Sequence, residues 1–208
     1  NIQYAIGTFK DCSALKSIDF LKNWNLSNVI DINSMFSNCY NIKNIDGLKN
    51  WKINRVKKTN KLFENCESIF SIESVKNWNM SNVIDCSYMF KNCKNIKELK
   101  GVENWDLSQV KNTSGMFEGC SDIMNIAPLS KWNLTNLEIC MEMFKNCSRI
   151  NSLNALSTWN LSNVYKSNEM FKNCRGIRCI NDLKNWNVGK ITEFSRMFED
   201  CSSIDSFE

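Results

Sequence analysis

The chain has 208 residues, with 26 basic and 22 acidic side chains, a net charge of +4, 43% hydrophobic residues, 11 cysteines and no histidine. So small a positive excess does not by itself argue for nucleic acid, and without histidine a mixed Cys/His zinc site or a His-based catalytic triad is excluded. No apolar run approaches the ~18 residues of a membrane span and no leader pattern opens the chain, so we expect no membrane insertion by this segment.

Charge is uneven along the length. Residues 1–104 hold 15 basic and 10 acidic groups, and residues 105–208 hold 11 and 12. One register runs through both halves. It opens with Phe9 and Cys12, and Phe returns every 27 residues at Phe36, Phe63, Phe90, Phe117, Phe144, Phe171 and Phe198. Cys follows three later from Cys39 to Cys201, and Trp keeps the same step at Trp24, Trp51, Trp78, Trp105, Trp132, Trp159 and Trp186. Self-similarity at such a period marks a solenoid, in which each unit buries its apolar side only against its neighbours. Both ends cut through a repeat and neither reads as a polar cap. We therefore expect residues 1–208 to be a single solenoid of about seven and a half repeats, a fragment of a longer protein.

The first full unit runs from Trp24. Trp24-Asn-Leu-Ser-Asn-Val29 and the preceding Leu21 alternate apolar and polar, which predicts a short strand with Trp and Leu facing inward. Asp31, Asn33 and Ser34 supply helix-start types, and Met35, Phe36, Cys39 and Ile42 then step by one, three and three, which predicts a short helix. Ile42, Ile45 and Leu48 return by steps of three to the next Trp. The expectation is an α/β fold: a right-handed leucine-rich-repeat-like solenoid of 27-residue turns, one short parallel strand and one short helix per turn, with Trp in the second Leu place. Strands ~4.8 Å apart against helices ~8–10 Å apart would make the strand face concave.

The recurring MFxxC and WNLSNV blocks resemble the BspA-like leucine-rich-repeat surface proteins and the related surface-lipoprotein repeats of cell-wall-less bacteria. That likeness covers every turn from Phe9 to Cys201, although 27 residues is longer than the family's usual turn. It implies a cell-surface or secreted protein engaged in adhesion to proteins or other cells, with no catalytic motif to carry over; unpaired cysteines leave an intracellular location as the alternative.

The second unit is singular in charge. Lys49, Lys52, Arg55, Lys57, Lys58 and Lys61 run without an acidic residue, and the acidic counterpart Glu98, Glu103, Asp106 and Glu118 lies two turns away. A solvated face is one reading, and contact with an acidic surface is the other. Outward positions beside the Trp are mostly Asn, among them Asn77, Asn79, Asn104 and the equivalent Asp106; stacked amides there predict a hydrogen-bonded ladder on the face where horseshoe repeats bind partners. Ser27 and Asn28 and their equivalents read as turn residues that bond the backbone.

The Cys ladder comes once per turn with no C-x-x-C, and helix-side spacing would hold its rungs too far apart for disulfides, so we expect buried reduced thiols. Cys86 and Cys140 share a column two turns apart, and Cys179 reads as the thiol most open to reagents. Asn25, Asn79, Asn133 and Asn160 open N-x-S/T sequons in one outward column, which would crowd a binding face if glycosylated and predicts an unglycosylated protein. With no histidine and no phosphate loop, and with carboxylates such as Glu138 and Glu142 on exposed positions, no catalytic, cofactor-binding or metal site is called. The reading is a non-enzymatic repeat protein binding a macromolecule on its concave strand face, with a spacer, stalk or intracellular scaffold as the alternative.

Overall fold

The computed structural model describes residues 2–205, and these wind into a repeat solenoid of 27-residue coils. Its core is set by a step of three. Between Leu26 and Val56 the buried side chains are Leu26, Val29, Ile32, Met35 with Phe36, then Cys39, Ile42, Ile45, Leu48, Trp51, Ile53 and Val56. At most steps the N–H of the buried residue donates to the carbonyl three residues earlier: Trp51 to Leu48 at 3.0 Å, Val56 to Ile53 at 2.9 Å, Cys66 to Phe63 at 3.0 Å. Each coil is thus a succession of β-turns that point every third side chain inward.

That path corrects the expected elements. Among the described residues there is no β-strand and no α-helix: the regular elements are short 3-10 helices at Asp19–Leu21, Asp46–Leu48, Glu73–Val75, Ala127–Lys131, Asn154–Leu156 and Asn181–Leu183, which lead into the Trp. The stripe of Met35, Phe36, Cys39 and Ile42 meets the helical spacing, but the buried positions on either side continue by threes and the left-handed Ser34 and Asn38 close separate turns in place of a helix. Parallel pairing falls where the helix start was expected. Single bridges link Tyr4, Asp31, Lys58, Asp85, Asn112, Ile139, Lys166 and Glu193 in one column. From there alternate N–H groups donate to the next coil, Ser34 to Asn60 at 2.9 Å, Phe36 to Leu62 at 3.0 Å and Asn38 to Glu64 at 2.8 Å.

Within this ladder Ser34 (φ 55°) and Asn38 (φ 64°) adopt left-handed backbone, each the third residue of a turn closed by Met35 or Cys39. Asn, Asp and Gly tolerate that conformation best, so the second of these columns reads Asp11, Asn38, Asn65, Asn92, Gly119, Asn146, Asn173 and Asp200.

Aromatic columns fill the interior. Phe rings from Phe9 to Phe198 stack with centroids 5.3–5.8 Å apart. Six tryptophans, Trp51 to Trp186, are buried, with centroids 6.3 Å apart for Trp51 and Trp78 and 6.1 Å for Trp132 and Trp159; Trp24 in the first coil stays 38% exposed. With neither a strand nor an α-helix among the described residues, the strand-against-helix spacing from which a concave strand face is expected is not present.

Candidate interaction surface

The columns that recur in the sequence are consumed by contacts between coils. Each buried Trp sends its indole N–H to a carbonyl thirty residues back: Trp51 to Leu21 at 3.0 Å, Trp78 to Leu48 at 3.2 Å, Trp132 to Val102 at 2.8 Å. Each ladder thiol from Cys39 to Cys201 does the same to a Phe carbonyl, Cys66 to Phe36 at 3.1 Å and Cys147 to Phe117 at 3.0 Å. Phe and Leu three residues before the Cys and Trp therefore present one oxygen that two coils share.

All 11 cysteines are free thiols. The reason differs from the expected helix spacing, since backbone hydrogen bonds join the coils at this very segment; what holds the rungs apart chemically is that each proton is engaged in apolar surroundings. Burial pushes the Cys39 thiol up to about 11 and Cys140 up to about 12, and raises Cys66, Cys93, Cys120 and Cys147 further. Cys179 is half-buried, and Cys12, on the first rung, is exposed. Among the described residues no group of three or more His, Cys, Asp or Glu side chains is placed to hold a metal ion, and Glu138 and Glu142 pair with Lys111 and Lys145, both at 2.8 Å.

The basic run lies outside. Lys49, Lys52, Arg55, Lys58 and Lys61 follow one another by threes between the buried Trp51, Ile53, Val56, Thr59 and Leu62, with Lys57 beside Lys58, and all six are exposed. They go round the outside of one coil instead of gathering on a strand face. Among the described residues none forms an ion pair within 4.0 Å; the Arg55 guanidinium donates to Asn28 Oδ1 at 3.3 Å, and Lys61 Nζ sits 5.8 Å from the Tyr88 ring centre. The acidic counterpart is largely spoken for: Glu118 is buried against Lys91 at 2.9 Å, Glu103 accepts the Gly101 N–H and Asp106 the Ser108 N–H at 3.0 Å.

The outward amides divide by role. Asn79 Oδ1 accepts the Ser81 N–H at 3.0 Å, and Asn25, Asn133 and Asn160 close the same two-residue turn in their own coils. The expected ladder through this column is therefore replaced by Asx turns. Amides do stack between coils, but in the left-handed column: Asn38 Nδ2 to Asp11 at 2.6 Å, Asn65 to Asn38 at 2.7 Å, Asn92 to Asn65 at 2.8 Å and Asn173 to Asn146 at 3.0 Å. Asn82, Asn136 and Asn163 bond carbonyls of the preceding coil, in keeping with a structural Ser-Asn pair. Asn77 and Asn104 are exposed with no side-chain hydrogen bond among the described residues.

Small residues open a further feature where other coils carry long side chains. An open groove of about 630 Å³ lies over Met124, Ile126, Ala127, Ser130, Ala155 and Ser157. Ala127 stands in the column of Asp46, Glu73 and Lys100, and Ser130 and Ser157 in that of Lys49, Lys76 and Glu103. Comparing columns for residue size would have found it.

The model of the family described as "Mycoplasma protein of unknown function, DUF285" matches residues 4–124 and again 95–207, in line with the resemblance to repeats of cell-wall-less bacteria. No curated protein matches. Among solved structures, a leucine-rich repeat protein from Bacteroides ovatus is similar at 16% identity and TM-score 0.47 over 98% of this chain, which spans 58% of that protein's length. Internalin C2 from Listeria monocytogenes is similar at 14% identity and TM-score 0.28, over 72% of this chain and 74% of that one. A leucine rich cell surface protein from Faecalibacterium prausnitzii is similar at 11% identity and TM-score 0.27, over 95% and 73%.

Proposed function

This chain belongs to the Mycoplasma protein family DUF285, and we propose that it is a non-enzymatic repeat segment that binds a protein or other macromolecular partner through its outer surface, as part of a cell-surface or secreted adhesin. The observation that carries this reading is the division of labour between columns. Trp, Phe, Cys and the left-handed Asn are spent on joining coils, whereas charge varies from coil to coil only on the outside, where a repeat array meets its partners.

The basic coil from Lys49 to Lys61 is one proposed contact, with Asn77, Asn79, Asn104 and Asp106 beside it. Exposed, unpaired cations attract an acidic surface and set its orientation. A second reading, a spacer that sets length alone, draws on the Asx turns, since these commit the outward Asn that follow the Trp to local structure.

Protease added to intact cells of the source organism tests the compartment. Loss of the segment from intact cells is expected, and its protection until lysis would replace the adhesin with an intracellular scaffold. Binding of the purified chain to immobilised host matrix proteins, absent for a circularly shuffled set of the outward residues, separates the interaction reading from the spacer.

A further inference from the structure

We propose that the groove over Ala127 and Ala155, together with the basic strip beside it, seats an acidic polypeptide segment; this rests on the interaction reading and names the partner's chemistry. The groove has a volume of about 630 Å³, within the ~300–1,000 Å³ of ligand sites, and no charged side chain lines it in a chain that is 23% charged. Its floor is the buried Ile126, and its walls are alanine, methionine, serine hydroxyls and amides.

Charge lies next to it. The strip formed by residues 13–17 and their equivalents in the following coils, through 175–179, holds seven cations and three carboxylates, a local excess of +4 against which the last coil sets only Asp205. Two of those carboxylates are already paired, Glu67 with Lys94 at 2.9 Å and Asp122 with Arg149 at 3.3 Å. Lys16, Lys43, Lys97, Arg175 and Arg178 form no ion pair among the described residues. Met124 belongs to both features, since it lines the groove and shares an exposed column with Lys16, Lys43, Lys97 and Arg178 at rungs ~4.8 Å apart.

A small anion is not what this arrangement fits, because the groove offers it no cation. A sugar would find no aromatic face in the groove itself, whose lining holds none. A ligand must reach the groove with an apolar or amide side chain and the strip with carboxylates, which an extended acidic polypeptide does.

The test is selection of a random 12-residue peptide library on the purified chain, followed by fluorescence anisotropy of the enriched peptides. Enrichment of Asp and Glu around a large apolar residue is expected. Ala127→Lys with Ser130→Lys fills the groove with side chains that the same columns already accept at Lys100, Lys49 and Lys76, so the fold is kept while positive charge is added. Binding should nevertheless fall about tenfold or more as an apolar seat is lost, and Lys97→Glu with Arg178→Glu should weaken it and flatten its salt dependence. Filled-groove protein that binds as well as or better than the parent overturns the proposal and leaves the interaction reading standing. Binding to phosphatidylglycerol vesicles with no peptide enriched makes the strip a lipid contact and also overturns it, whereas no peptide, vesicle or matrix-protein binding removes both readings together.

Discussion

Trp105 donates its indole N–H to the carbonyl oxygen of Val75, thirty residues earlier, at 3.1 Å, and the same oxygen takes the backbone N–H of Trp78 at 3.0 Å. A local turn and a contact between coils thus share one acceptor, so loosening either loosens both. Trp105→Phe retains most of the buried ring but removes the donor, for an expected loss of about 1 kcal/mol. Trp105→Ala should cost ~3–5 kcal/mol. Denaturant unfolding of the two variants separates the bond from the packing; a Trp105→Phe variant as stable as the parent would show that the shared carbonyl contributes nothing of its own.

Alkaline pH should loosen the coils through their buried thiols. Below the ordinary thiol value of 9.0, folded and unfolded chains both hold the proton and stability is full. Above it the unfolded chain ionises while buried Cys39 and Cys140 stay protonated up to about 11 and about 12, so stability falls as pH rises through that window. Each such thiol steepens the fall by about 1.4 kcal/mol per pH unit. Cys140→Thr copies the Thr113 of its own column and should make the decline shallower by that amount, as read from unfolding midpoints between pH 8 and 11. At neutral pH an alkylating reagent should reach Cys12 and Cys179 first.

The solenoid and its inward columns were legible because burial repeats by residue type: Trp51, Phe63 and Cys66 return in one register and all are buried. Local conformation was not. A step of three from Phe36 to Cys39 to Ile42 satisfies part of a helical stripe, and only the positive φ at Asn38 closes the turn instead. The Asn, Asp and Gly of that column were the visible sign, since these residues share tolerance of left-handed backbone and little else. On the surface, Lys52 and Arg55 were placed outward correctly, but the strand assigned to them was not, because inter-coil hydrogen bonds run through Asp31, Ser34 and Phe36. Ala127 and Ser130 give no sign of a groove on their own, because small residues announce no chemistry.

Gly119 interrupts the amide ladder between Asn92 and Asn146, and a Cβ there would meet Asn92 Oδ1 at 2.2 Å. That atom ends a rotatable side chain, so Gly119→Asn should turn Asn92 aside and restore the amide contacts seen between Asn38, Asn65 and Asn92. Stability is expected to rise by about 1 kcal/mol. In the intact part of the ladder, Asn65→Gly should lose only the two amide bonds, and Asn65→Ala should lose a further ~1 kcal/mol because Ala resists φ near 61°. Thermal or denaturant unfolding checks the order Asn, Gly, Ala; a destabilised Gly119→Asn would mean that the gap is required by packing around Asn92.

The basic coil yields a prediction about rate. Lys52 and Arg55 are exposed on the outside of the Trp corner, free of ion pairs among the described residues, and Arg55 makes one long contact to Asn28. Charges so placed speed encounter with an acidic partner more than they tighten the complex. Lys52→Glu with Arg55→Glu should therefore slow association several-fold with little change in dissociation, and the parent rate should fall steeply from low to physiological salt as the screening length shortens to ~8 Å. Unfolding should shift by no more than ~0.5 kcal/mol, as for surface positions generally. Stopped-flow association with a matrix protein that the purified chain binds measures this directly. Were the double reversal to bind at the parent rate while Lys97→Glu with Arg178→Glu did not, the contact would belong to the strip beside Met124, and the run from Lys49 to Lys61 would be a solvated face.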